Sequence, residues 1–109
     1  MKLEKLEKSN QLFETYGFCL TSLQRKVLGH YLVDGLQITE IAEILGITKQ
    51  AVSKNVVSAE KKLQNMENNL QFLAFQDKIK AEIKSLSRLV ENGNFQTALK
   101  QLSKLSKEL

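Results

Sequence analysis

No proline occurs anywhere in this chain of 109 residues, and its five glycines stand far apart. Proline stops a helix more firmly than any other residue, and glycine is the next most disruptive. From Lys49 to Asn92 neither is found. Little in the sequence therefore opposes helix, and apolar residues spaced by three and four recur along most of it. The expected fold class is all-α.

Leu3, Leu6, Phe13 and Tyr16 fall loosely on one side of a first helix, which Gly17 ends. Thr21-Ser22-Leu23-Gln24 has the form of a capping box, with Thr21 at the N-cap and Gln24 reaching back to it. Behind it Leu23, Val27, Leu28, Tyr31 and Leu32 predict a helix from Ser22 to Asp34. A short helix from about Ile38, with Thr39 as its cap, should end at Gly46 in the left-handed conformation. Ile47-Thr48 then opens another helix, with Thr48 as cap and Ile47 placed to staple onto Val52. Along it Val52, Val56, Ala59, Leu63, Met66, Leu70 and Leu73 step by alternating fours and threes, a heptad seam. The phase then slips to Phe75, Ile79, Ile83, Leu86 and Val90. Asn92-Gly93 closes that register, and a last helix carries Phe95, Ala98, Leu99, Leu102 and Leu105. The expected division is residues 1–70 as one domain and 71–109 as a C-terminal helical hairpin, packed on the same core or on a second copy.

Ile38 to Val57 is the stretch that points to function. Two helices joined by a short turn need a small residue where they approach, a glycine in the turn and apolar residues after it. Ala42, Gly46, Ile47, Val52 and Val56 meet those needs at helix-turn-helix spacing. Charge concentrates on the same stretch. Ile47 to Met66 holds four lysines against one glutamate, a surplus of +3 in a chain whose net charge is only +4. If the second motif helix enters a groove, the side chains expected to line it are Thr48, Lys49, Gln50, Ser53 and Lys54, with Asn55, Ser58 and Lys61 behind. Glutamine and asparagine can read adenine edges, and lysine can neutralise phosphate.

Phe13-Glu14-Thr15-Tyr16-Gly17-Phe18-Cys19-Leu20-Thr21, Gln24-Arg25, Tyr31-Leu32, Ile41-Ala42-Glu43, Gly46-Ile47, Gln50-Ala51-Val52 and Ala59-Glu60-Lys61 together resemble the YlxM family. Its members are small bacterial helix-turn-helix proteins, similar in fold to region four of sigma factors. The resemblance spans roughly Phe13 to Leu63, with departures at Phe18 and around Asn55. It implies a DNA-binding regulator of the signal recognition particle pathway. A second reading stays open: an accessory protein that binds a component of that particle, protein or RNA, without binding DNA.

One histidine, His30, and one cysteine, Cys19, offer neither a metal cluster nor a catalytic pair, so no enzyme activity, metal or cofactor is expected. A single cysteine suits a reducing compartment, and the alternating Lys/Glu start is no secretion signal, so the cytoplasm is the expected location. No segment is apolar enough to insert in a membrane. Leu63, Met66, Leu70 and Leu73 lie beyond the motif's own core, which predicts a homodimer built on that seam and on the C-terminal pair.

Overall fold

A computed structural model describes residues 3–108. Its elements are α1 (Leu3–Tyr16), a 3-10 turn (Gly17–Cys19), α2 (Ser22–Leu32), α3 (Ile38–Leu45), α4 (Lys49–Leu70), α5 (Phe72–Glu91) and α6 (Phe95–Glu108). No strand is found among the described residues. Packing divides the chain inside α5, with residues up to Leu73 in one compact unit and those from Ala74 in a second.

In the first unit α4 is the central element, and α1, α2 and α3 all pack on it. The core is built from Leu12 and Tyr16 of α1, Leu20, Val27, Leu28 and Leu32 around α2, Ile41 and Ala42 of α3, and Val52, Val56, Ala59 and Leu63 of α4. Val27, Leu28, Ile41, Val52 and Leu63 are fully enclosed. Each buried aliphatic side chain of this size contributes about 1.5–3 kcal/mol over an exposed one. The expected heptad seam is therefore used inside the chain. Val52, Val56, Ala59 and Leu63 are buried in the core that α4 shares with α1, α2 and α3, and Met66 packs half-buried against it, so this part of the seam is not left for a second copy.

Local signals set most helix ends. At α2, Thr21 Oγ1 accepts from the Gln24 amide at 3.1 Å and the Thr21 amide donates to Gln24 Oε1 at 3.0 Å, completing the capping box. Val33 caps the far end, so α2 stops two residues short of the expected Asp34. The start of α3 also differs from expectation. Gln37, not Thr39, is the N-cap, and its amide donates to Glu40 Oε1 at 3.1 Å. Glu40 at the third helical position completes a capping box for Gln37, which Ala42 could not do for Thr39.

The seam is broken after Leu70. Gln71 adopts φ 52° and ψ 33°, a left-handed conformation unusual for a residue with a side chain. Leu70 is left exposed, while Leu73 is buried from the far side of the break. Glu67 explains the turn. Its carboxylate, 7% exposed, accepts from the Tyr16 hydroxyl at 2.6 Å and the Leu73 amide at 3.0 Å. The Phe72 amide donates to the Tyr16 hydroxyl at 3.2 Å. Amides at the start of α5 have no partner within the helix, and a carboxylate at a helix N-terminus also meets the favourable end of its dipole. Burial and the hydrogen bond to Glu67 both hold the Tyr16 phenol above its ordinary pKa of 10.0.

The second unit is an antiparallel helix pair. Asn92 and Gly93 turn the chain, Gly93 at φ 76°, and the Asn94 amide donates to the Leu89 carbonyl at 2.8 Å. One flank of the pair is joined by polar bonds. Gln101 donates to Glu82 at 2.7 Å, Ser85 donates to Gln101 at 3.3 Å, and Lys78 meets Glu108 at 3.2 Å. Ala98 is the only buried apolar side chain of this unit among the described residues.

Candidate nucleic-acid interface

The site rests on the turn between α3 and α4. Gly46 sits at φ 66° and ψ 34°, and its amide and that of Ile47 both bond to the Ala42 carbonyl, the latter at 3.1 Å. This double closure satisfies a carbonyl at the end of α3 and reverses the chain. No heavy atom lies within 4 Å of where a Cβ on Gly46 would stand. Backbone conformation, not space, is what calls for glycine here. Ala42 is 7% exposed at the junction, and Ile41 beneath it is fully buried.

Thr48 then caps α4, its Oγ1 accepting from the Ala51 amide at 3.1 Å. Val52 and Val56 point into the core, which turns the opposite face of the helix to solvent. Lys49, Gln50, Ser53 and Lys54 all lie exposed on these first turns. Neither Lys49 nor Lys54 forms an ion pair with a carboxylate among the described residues. Lys61 is exposed too, about 10 Å farther along the axis from Lys54 at the helical rise, so it cannot address the same base pair.

Asn55 and Ser58 are placed differently. Asn55 is half-buried and donates its amide to the Ala51 carbonyl at 2.7 Å, a bond within its own helix. Ser58 Oγ accepts from Gln24 Nε2 at 3.2 Å, across to α2. Gln24 thus caps α2 with its oxygen and ties α2 to α4 with its nitrogen. Reading the sequence did not reveal that second use, because Ser58 lies 34 positions away in the chain. Arg25 is a further positioning residue that sequence reading passed over. Its Nε and Nη2 donate to the Gly17 carbonyl at 3.2 and 3.1 Å, closing the 3-10 turn ahead of the motif.

His30 pairs with Asp34 at 2.8 Å one turn along, and Cys19 is half-buried against the core. No group of three or more His, Cys, Asp or Glu side chains among the described residues could hold a metal ion. No helix there is long and apolar enough to cross a membrane.

The turn, its caps and the helices around it define an all-α helix-turn-helix protein. Within that class the chain belongs to the UPF0122 family, described as "Putative helix-turn-helix protein, YlxM / p13 like", whose model matches residues 3–105. A UPF0122 protein of Bacillus mycoides is 34% identical over 101 residues, covering 92% of both chains. UPF0122 proteins of Streptococcus gordonii and Streptococcus pneumoniae are each 39% identical over 70 residues, 64% of either chain.

Proposed function

We propose that this protein is a cytoplasmic DNA-binding regulator that presents the first turns of α4 to the major groove. One observation carries the reading. Directly after a glycine turn and a built cap, Lys49, Gln50, Ser53 and Lys54 stand exposed together on the outer face of a helix anchored by Val52 and Val56. In a helix-turn-helix the N-terminal part of the second helix meets the base edges. Gln50 is the side chain fitted to adenine, and the two lysines are fitted to phosphates. Asn55, bonded within α4, and Ser58, bridged to Gln24 of α2, hold the helix behind them, and Lys61 serves the backbone farther out. The resemblance to the YlxM family supports placing this activity in regulation of the signal recognition particle pathway. Pairing of two copies belongs to the same reading, since a twofold would present two such helices to one duplex. No catalytic role is proposed.

A second reading is favoured by the exposed acids Glu40 and Glu43 of α3 beside the turn and by a net charge of only +4. On that reading the same face engages a protein or RNA component of the signal recognition particle. Duplex DNA and particle RNA, each titrated across a salt series, separate the two. A DNA regulator binds duplex with an affinity that falls steeply with salt. The Lys49→Ala, Lys54→Ala double variant should weaken that binding and flatten the salt slope by about two phosphate contacts. An unchanged slope in a folded double variant would remove α4 from the interface.

A further inference from the structure

The hairpin of α5 and α6 has two unlike flanks. Lys78, Glu82, Ser85, Gln101, Lys104 and Glu108 line a polar trough on one side, cross-linked by the bonds already described. The other side is apolar. Ile83 and Val90 of α5 are 54% and 51% exposed, and Phe95, Leu99 and Leu102 of α6 are 60%, 59% and 48% exposed. Their spacings, seven along α5 and then four and three along α6, are those of a single stripe on each helix. Ile83, Leu86, Val90 and Leu102 share one shallow depression, so the two stripes meet at Leu102.

We propose that this apolar flank is the surface on which two copies of the protein pair, joining their hairpins into a four-helix layer. The inference rests on the pairing of copies in the proposed function and adds the surface that performs it. A helix pair forms one layer, and a layer with an apolar face needs a second one against it. From Ala74 onward only Ala98 is buried among the described residues, so the hairpin has little interior of its own. A second copy supplies the missing layer with a matching stripe, as isologous pairing requires.

The area is of the right order. An aromatic side chain such as Phe95 buries about 150–250 Å² when enclosed and the four aliphatic ones less, so the five half-exposed side chains offer several hundred Å² per copy. With its rim counted, a symmetric pair approaches the threshold of about 1,000 Å² for a specific interface. The border agrees with this occupant. Ser87 and Glu91 edge the depression, with no lysine among its lining residues. At this depression, then, no lysine stands ready for an anionic lipid surface or an acidic partner helix.

Sedimentation equilibrium on the full chain, from low to high micromolar, tests the proposal. The parent should approach twice the 12.4 kDa monomer mass as concentration rises. Ile83→Glu with Leu99→Glu should weaken pairing by more than about tenfold, since two buried aliphatic contacts are worth more than the 1.4 kcal/mol of one decade. Leu70→Glu, on α4 and 59% exposed, should leave pairing intact. A parent that stays monomeric would overturn pairing altogether. A paired parent whose Ile83→Glu, Leu99→Glu variant pairs equally well would overturn this surface and leave pairing standing. Hydrogen exchange of the parent gives the same decision without a variant. Amides of α5 and α6 should slow between dilute and concentrated samples, and equal exchange would count against the flank. Binding of a monomeric parent to anionic vesicles, in place of a copy, would also overturn it.

Discussion

The unit ending at Leu73 and the hairpin beginning at Ala74 share amphipathic helices of similar composition, yet they use them differently. In the first, apolar stripes from four helices converge, and Val27, Leu28, Ile41, Val52 and Leu63 lose all contact with water. In the second, Ile83, Val90, Phe95, Leu99 and Leu102 keep about half their surface exposed. The difference lies in the number of helices, not in the residues. Four helices enclose a volume, whereas two meet along a line. Amphipathicity shows that a face must be covered, and only the fold shows whether the chain itself covers it.

The largest expected effect tests that contrast directly. Leu28→Ala empties a site with no exposure and should cost about 2–5 kcal/mol, whereas Leu102→Ala in dilute solution should cost well under that. Denaturant titration of both variants measures the difference, and equal losses would erase the distinction between the units. Next comes Glu67→Ala, which strips the Tyr16 hydroxyl and the Leu73 amide of a charged acceptor. A loss of about 2–3 kcal/mol is expected, and a variant as stable as the parent would show that the carboxylate does not support the break at Gln71.

Gly46 and Gly93 sharpen the comparison further. Both have positive φ, and both have open space where a Cβ would stand. Alanine at either should cost roughly 1 kcal/mol through backbone conformation alone. The loss at Gly46 should appear in global unfolding. The loss at Gly93 should register only in hydrogen exchange of α5 and α6 if the hairpin opens separately. The smallest effect is a matter of pH. The folded state holds the Tyr16 phenol above 10.0, so it favours the neutral form. The resulting stability is fully present below pH 10 and is lost as pH rises through the folded value. Tyr16→Phe should therefore lose less stability between neutral and strongly alkaline pH than the parent, and parallel decay of the two curves would refute the linkage.

Much of this was legible in the sequence. Thr21 with Gln24, Thr48, Gly46 and Asn92-Gly93 each signal a helix end through chemistry confined to a few neighbouring residues, and the helix-turn-helix follows from them. What stayed hidden depends on distant partners. Nothing near Gln71 announces a break, because its support comes from Tyr16, 56 positions before Phe72. Glu67 looks like a surface acid until Tyr16 and the first turn of α5 close over it. Within the candidate interface, Lys49, Gln50, Ser53 and Lys54 could be placed by helical period alone. Asn55 and Ser58 could not, since a back-bonded amide and a bridge to Gln24 depend on rotamer and packing. The C-terminal stripes were legible as stripes, but their exposure was not.

The elbow at Gln71 also governs where this chain can be cut. Expression of the helix-turn-helix alone would tempt one to stop at Leu70, where α4 ends. Such a fragment would keep the Glu67 carboxylate buried against Tyr16 and discard the Leu73 amide that bonds to it, together with the Leu73 side chain that closes the core. Any minimal fragment must therefore carry the first turn of the next helix, so the shortest independently stable piece is longer than the motif it contains.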